Sequence, residues 1–383
     1  MFLEIFAVLL IILLTLVIIT YISNWGNGPA TDLTHSMKDK LVIITGGSRG
    51  IGLETTKDLL RQGATVIIGC RDSVQANQAI NTIENNTHKS RCSFIHLDLT
   101  DYENIKAFAE EIKTKYGKID ILINNAGSCF RYFTLSDGIE LTYFTNHLGH
   151  LILSCLLLDD FNPKGRIINL VTTKYKRVWE STLEKFTSNS NINFSFNRKG
   201  YDWMKTYILS KLAGVHLSQY LADYCTEQKI DIKIVSVHPG FINNHFFRDI
   251  ESHSIYWFIR DLFQTPYRWC MFKDNIMGAQ TTLHCCYMEY EKLSNGGYYR
   301  DCHYEQLTTI GMLKNAQKLI AFDKAIIEKN KIVKGDKKVM ISVFRTALRC
   351  RCCHRNRRCY RHFRCCSRPR SFCVFPGSVP RLP

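Results

Sequence analysis

The sequence predicts a doubly wound α/β fold, a parallel sheet covered by helices on both faces. Three observations predict it. Short runs of continuous apolar residues alternate with longer amphipathic stretches; strands buried on both faces and joined by crossover helices have this pattern. A glycine-rich turn, Thr45-Gly46-Gly47-Ser48-Arg49-Gly50-Ile51-Gly52, separates the first run from the first helical stretch, where such folds hold phosphate. The hydrophobic content of 45% over 383 residues is ample for one large core.

Taken in order, Leu41–Thr45 is the first strand and Leu53–Gln62 the helix after the turn. Ala64–Gly69, Ser93–Leu99, Ile119–Asn124, Arg166–Val171 and Asp231–His238 follow as strands. Ser73–Asn86, Tyr102–Tyr116, Tyr143–Leu158 and Thr206–Glu227 are the helices between them. There is no internal repeat, and residues 40–330 make a single domain.

Three segments flank it. Residues 1–22 read as a transmembrane helix: Ile5 to Ile22 is apolar apart from Thr15, Thr20 and Tyr21, and about 18 such residues suffice to span a bilayer. No Lys or Arg precedes the run and no small-x-small site closes it, so an uncleaved anchor fits better than a signal peptide. Lys38 and Lys40 follow the span while only Glu4 precedes it, which places the C-terminal side in the cytosol. In that topology the N-x-S/T sites at Asn85 and Asn193 go unused. Residues 23–39 are a polar, Gly- and Pro-containing linker.

The net charge of +16 resembles a nucleic-acid signal until it is mapped: eleven arginines and no acid lie between Met340 and Pro383, leaving +5 for the rest. The same stretch holds seven of the sixteen cysteines, and the others form no C-x-x-C pair, which argues against a disulfide framework or a zinc site in the body. The tail, 331–383, reads as a disordered extension. A metal site drawing on His354 and His362, or an acylated basic strip on an anionic membrane, are its alternatives. No nucleic-acid partner, no metal and no catalytic role are expected of it.

The chemistry lies in the turn and in Tyr207 and Lys211, spaced Y-x-x-x-K. Glycines 46, 50 and 52 permit a tight turn and close approach of phosphate to backbone, and the helix N-terminus faces the same point with free N–H groups. A free tyrosine titrates near ~10. A lysine one helical turn away shares its face and favours the phenolate, so Lys211 is expected to lower the Tyr207 pKa. The second strand ends in Cys70-Arg71-Asp72. Arg71 and Arg49 would suit a ribose 2′-phosphate, which favours NADP(H) over NAD(H), although Asp72 could compete for the ribose.

At this point the chain resembles the short-chain dehydrogenase/reductase family over residues 40–325. TGGSRGIG at 45–52, LDL at 97–99, NNAG at 124–127, NHLGH at 146–150, YILSK at 207–211 and HPG at 238–240 occur in the family's order. The anchor, the CRD sequence, NHLGH and GAQTTLHC at 278–285 resemble its membrane-anchored retinol dehydrogenases. The resemblance implies a Rossmann-like domain and a set of roles. Asp98 would contact the adenine with Leu99 beside it, and Asn125, Ala126 and Gly127 would line the cofactor. Pro239 and Gly240 would pass close to the nicotinamide. Asn146 would hold a relay water, Tyr207 would be the general acid/base, and Lys211 would bind the nicotinamide ribose.

The chain departs from the family twice. Thr172, in Asn169-Leu170-Val171-Thr172-Thr173, stands where the family has a catalytic serine; its hydroxyl can still donate, though its methyl stiffens χ1, and Thr173 is the alternative. Asn243 and Asn244 stand where the family usually has a threonine. On the substrate side, thirty-four residues separate Thr172 from Tyr207, and Ser254–Phe272 is rich in aromatics. The second stretch reads as a lid that touches the bilayer or as a core helix. The expected substrate is a lipophilic alcohol or carbonyl, retinoid by resemblance, with steroid, isoprenoid or fatty carbonyls as alternatives. The rival is a non-catalytic cofactor-binding scaffold or sensor. The endoplasmic reticulum membrane, with the domain facing the cytosol, is the expected location, and a homo-oligomer is compatible with the fold.

Overall fold

A computed structural model describes residues 10, 13–15, 29–31, 35–86, 91–173, 201–242, 272–307 and 310–329. β1 (Leu41–Thr45) leads through the glycine turn into α1 (Gly50–Arg61). β2 (Thr65–Cys70) precedes α2 (Ser73–Asn86), and β3 (Cys92–His96) precedes α3 (Tyr102–Tyr116). β4 (Ile119–Asn124) is followed by a hairpin of β5 (Leu135–Ser136) and β6 (Ile139–Glu140). α4 (Leu141–Asp160) enters β7 (Phe161–Leu170), and α5 (Trp203–Gln228) precedes β8 (Ile232–His238). α6 (Asn275–Tyr287), β9 (Tyr298–Arg300), β10 (His303–Glu305) and α7 (Ile310–Lys329) complete the order.

The main sheet runs β10-β9-β8-β7-β4-β1-β2-β3, parallel except for β10 against β9. Strand order reverses between β1 and β4, which leaves a crevice at their C-terminal ends. Side chains alternate across the sheet. Ile43, Ile67, Leu122, Ile167 and Ile234 pack beneath α3, α4 and α5, while Val42, Ile44, Val66, Ile68, Ile123 and Val235 pack against α1 and α6. Burying each of these side chains is worth about 2 kcal/mol relative to exposure.

The six expected strands are present and in the expected order; their ends differ. β7 begins at Phe161 rather than Arg166, because the turn-like Asn162-Pro163-Lys164-Gly165 is absorbed by a register irregularity opposite β4. β9, β10 and the hairpin, only two or three residues each, were not anticipated. Nor were α6 and α7.

A buried polar ladder crosses the sheet below the crevice. Asn124 Nδ2 donates to Asn169 Oδ1 (2.7 Å) and Ser154 Oγ (3.0 Å), and Asn169 Nδ2 donates to Ser218 Oγ (2.8 Å). Ser236 Oγ closes it at 2.8 Å from Ser218 Oγ. It fixes β4, β7 and β8 to α4 and α5, since leaving any member unpaired carries a desolvation cost.

Among the described residues, Leu141–Asp160 is the one helix long and apolar enough to cross a bilayer, yet 89% of its apolar window is buried inside the protein. It is the central core helix. Of the apolar run at the N-terminus, only Leu10 and residues 13–15 are described; they are helical, and Leu10, Leu13 and Leu14 are exposed. The rest of that run, most of residues 173–206, the aromatic stretch before Phe272, Asn243 and Asn244, and everything beyond 329 lie outside the described residues. Part of the linker is docked: Met37 is buried, its N–H donates to Gln62 O (2.8 Å), and Thr31 N–H donates to Gln280 Oε1 (3.0 Å).

α7 is held to α4 by a buried cluster. The Tyr143 hydroxyl donates to Asp323 Oδ1 (2.7 Å), and His147 Nε2 lies 2.8 Å from Asp323 Oδ2. Replacing Asp323 by Ala removes the carboxylate that both groups bind inside the core and is expected to cost about 3 kcal/mol. Tyr143→Phe, which removes one bond and its donor together, should cost about 1 kcal/mol. Urea unfolding followed by circular dichroism measures both.

Candidate functional site

The glycine turn closes the crevice at the end of β1. Gly46 sits at φ +67°, in the left-handed region, and a Cβ on Gly52 would run into the Gly46 carbonyl oxygen. The turn therefore stays narrow and its backbone bare. Arg49, which precedes α1, makes no side-chain cap, and the first turn of α1 carries no acid. A helix N-terminus of this kind, with no side-chain cap and no acid in its first turn, suits an anion.

Across the crevice, the end of β4 is tied to the end of β1. Thr45 Oγ1 accepts the N–H of Asn125 (3.0 Å) and of Ala126 (2.9 Å), and Asn125 Nδ2 donates to the carbonyls of Thr45 (2.8 Å) and Gly46 (3.1 Å). Gly127 follows in the same loop. These bonds hold it beside the turn. Ser48 is buried, its hydroxyl 3.4 Å from Gln75 Oε1, and Ile51 packs on the α1 side of the core. Asp98 Oδ1 accepts from the N–H (2.9 Å) and hydroxyl (2.7 Å) of Thr100, and Leu99 is buried.

At the rim of β2, Arg49 and Arg71 are both exposed. Asp72 Oδ1 accepts the Gln75 N–H (2.9 Å) at the start of α2, so this carboxylate serves as a helix cap.

Asn146 lies in a π-helical turn, Phe144–Leu148, of α4. Such turns recur at functional sites. Its amide makes three bonds: Oδ1 accepts from Ser128 N (2.8 Å), and Nδ2 donates to Ser128 O (2.9 Å) and Ser210 Oγ (3.0 Å). Ser210 Oγ in turn donates to the Tyr207 carbonyl (2.8 Å). The loop after NNAG, the kinked helix and the YILSK segment of α5 thus form one unit.

α5 starts three residues earlier than expected, because Asp202 caps it by accepting from Met204 N and Lys205 N. Lys211 is buried and its Nζ donates to Leu170 O (2.9 Å) at the end of β7, two residues before the buried Thr172. Burial lowers the Lys211 pKa to about 8. Burial, with the Cys129 thiol adding to it, pushes the Tyr207 phenol up. This is a correction to the expected lowering by Lys211: the ammonium is committed to a carbonyl, and desolvation of the phenolate dominates. Thr173 Oγ1 lies 3.3 Å from His238 Nε2, on the β8 side. Pro239 and Gly240 follow β8; Gly240 has φ +97°, and a Cβ there would press on the side chain of Lys273.

Several members of this site carried no expectation from sequence. Ser128 is bound to Asn146 through its backbone, while its hydroxyl oxygen is buried without a partner. The buried Asn275 Oδ1, also without a partner, lies 3.8 Å from the position of a Cβ on Gly50. Bare glycines, free helix N–H groups and orphaned polar atoms on one crevice fit a dinucleotide.

Residues 40–180 match the model of the family described as short chain dehydrogenase. The chain is 33% identical to retinol dehydrogenase 12 of Mus musculus over 266 residues, which is 69% of this chain and 78% of that protein. It is 31% identical to human retinol dehydrogenase 11 over 274 residues, covering 70% and 80%. The chloroplastic short-chain dehydrogenase TIC 32 B of Brassica napus is 34% identical over 294 residues, covering 73% and 87%. In fold the chain is similar to an uncharacterized protein of Mycobacterium paratuberculosis (TM-score 0.57, 24% identity, 78% of this chain and 98% of that one). A short-chain dehydrogenase/reductase mutant of Serratia marcescens gives a TM-score of 0.52 at 19% identity, covering 70% and 97%.

Three histidines around this frame are buried and neutral. Burial lowers the pKa of His150 to about 3 and of His216 and His238 to about 4. The unfolded chain protonates each near ~6.5, so it binds more protons than the folded one between those values. Stability is therefore expected to fall as pH drops through this window, by on the order of 3 kcal/mol for each histidine. Urea midpoints between pH 7 and 4 measure the slope, and His216→Gln should reduce it by one proton.

Proposed function

The chain belongs to the short-chain dehydrogenase family, and on that premise we propose that it is a membrane-anchored, NADP(H)-dependent oxidoreductase of lipophilic alcohols and their carbonyls. The supporting observation is the unit formed by Asn146, Ser128, Ser210 and Tyr207, with Lys211 and Thr172 at the end of β7. It stands beside a crevice fit for a dinucleotide. The turn at 46–52, Asn125, Ala126, Gly127, Asp98, Leu99, Pro239 and Gly240 would hold the cofactor. When bound, the nicotinamide supplies or accepts the hydride.

The protein's own residues manage orientation and protons. In the reducing direction Tyr207 would give its phenolic proton to the carbonyl oxygen, which becomes the alcohol oxygen. Lys211, retaining its charge near neutral pH, would stabilise the phenolate left behind. The Thr172 hydroxyl would donate to the same substrate oxygen. The high Tyr207 pKa in a dry site makes the phenol a poor acid until a positive group is brought close, so reaction is expected only in the loaded enzyme.

NADP(H) is supported by two exposed arginines at the β2 rim and by the engagement of Asp72 as a cap. The anchor is supported by the apolar N-terminal run, and the retinoid class by the similarity to retinol dehydrogenases. A bilayer-held enzyme in the endoplasmic reticulum, facing the cytosol, meets such substrates where they dissolve.

The test is NADPH oxidation by the membrane-bound protein with all-trans-retinal and a long-chain aldehyde as separate substrates. Consumption should require an aldehyde and disappear in Tyr207→Phe, while NADPH binding persists. Binding without turnover of any carbonyl would instead favour a cofactor-binding scaffold. Arg71→Ala is expected to weaken NADPH by about 10-fold or more and to leave NADH nearly unchanged, as loss of a charge-assisted bond to phosphate predicts. Fluorescence titration with both nucleotides separates these outcomes.

A further inference from the structure

α6 opens at the crevice, although it lies far along the chain from the glycine turn. Its first turn is fixed by Asp274, whose carboxylate accepts the Met277 N–H (2.7 Å) and whose carbonyl accepts the Gly278 N–H (2.9 Å). Gly278 is wedged between two walls: a Cβ there would stand 2.6 Å from Ile242 Cδ1 and 3.2 Å from Ile51 Cγ1. Ile51 belongs to the glycine turn, and Ile242 follows the Pro239-Gly240 loop after β8. Just before the helix, the Lys273 N–H donates to Phe241 O (2.7 Å), and the Lys273 stem leaves no room for a Cβ on Gly240. The start of α6 is therefore held between the turn and that loop. Asn275 lies three residues before Gly278, on the same helix face. Its Oδ1 is the nearest atom to the Cβ position of Gly50, at 3.8 Å.

Asn275 as a whole is partly exposed, but its Oδ1 is buried and has no hydrogen-bond partner. A buried acceptor left unpaired is costly, so it points to a donor that arrives with a ligand. Its chemistry selects the part of a dinucleotide that it meets. Pyrophosphate oxygens only accept, so they cannot satisfy an amide oxygen. The donors are the ribose hydroxyls, the adenine amino group and the nicotinamide carboxamide. The adenine end belongs to the β2 rim, on the opposite side of β1 from β8. On the β8 side Lys211 takes the ribose, which leaves the carboxamide. We propose that Asn275 is a ring-orienting cofactor contact, whose Oδ1 accepts one N–H of the nicotinamide carboxamide. The ring, tethered to its ribose at one end, is then held at a second point. It cannot turn over to present its other face to the substrate.

This contact rests on the cofactor reading above, and its test keeps the two apart. Full-length wild type, Asn275→Ala and Asn275→Asp are titrated by calorimetry with NADP+ and NAD+. Each is paired with its 3-acetylpyridine analogue, in which a methyl replaces the amide nitrogen. ADP, which carries only the adenine half, is the control. Wild type should bind the amide cofactor about 10-fold more tightly than its analogue, the scale of one buried hydrogen bond. Asn275→Ala should reduce that preference to about 2-fold or less, by weakening the amide cofactor and not the analogue. Asn275→Asp keeps an acceptor and should keep the preference, while its charge beside the phosphates lowers both affinities together. ADP should bind wild type and Asn275→Ala equally. An unchanged preference in Asn275→Ala, a weakening shared by cofactor and analogue or extending to ADP, or a lost preference in Asn275→Asp would overturn the assignment. A wild type that binds neither dinucleotide would instead sink the cofactor reading, and this contact with it.

Discussion

A single hydroxyl, that of Thr45 at the end of β1, sets the geometry on which the crevice depends. A doubly wound sheet opens where its strand order reverses, and nothing in the sheet's own hydrogen bonding holds the two diverging loops at a fixed separation. Thr45 supplies that constraint by receiving two N–H groups from the loop after β4, while Asn125 returns two donors to the turn after β1. A loop so fixed keeps its backbone, and the unpartnered Ser128 hydroxyl that follows, at a set distance from the turn. The glycines then act within a frame rather than as flexible points.

Beneath that frame the protein invests its buried polar groups unevenly. The Asn124–Asn169–Ser218–Ser236 ladder and the Asn146–Ser128–Ser210 unit lie directly under the reacting end, whereas the β2–β3 side of the sheet is filled with Ile, Val and Phe. Apolar packing tolerates small shifts, but a hydrogen-bonded network in a dry interior has a few allowed positions and large penalties between them. Rigidity is concentrated where atoms must be placed to fractions of an ångström. The same dryness explains the displaced pKa values of Tyr207 and Lys211, each pushed toward its neutral form.

Sequence conveyed most of this where the signal was local. Continuous apolar runs marked six of the strands, the glycine spacing marked the turn, and Y-x-x-x-K marked α5. It conveyed less where meaning depended on distant partners. Asn162-Pro163 reads as a turn until β4 is seen opposite, and Tyr298–Arg300 is too short to show a period. The capping bond of Asp72 to Gln75 is a matter of side-chain rotamer and does not show in the sequence. The expected effect of Lys211 on Tyr207 followed from helix spacing alone; the carbonyl of Leu170, which claims the ammonium, sits on another element. His150 was part of a recognised motif, yet its place in the sequence does not reveal its contact with Thr45 on β1.

The pairing of Asp323 with Tyr143 and His147 spans 180 and 176 residues of chain. Contacts this far apart in sequence close late, after the entropy of the intervening loop has been surrendered. The helix that carries Asn146 is therefore fastened by a segment from the far end of the described domain. The position of a site residue thus depends on a helix distant from it in sequence, so that a change in α7 can be felt at the kink.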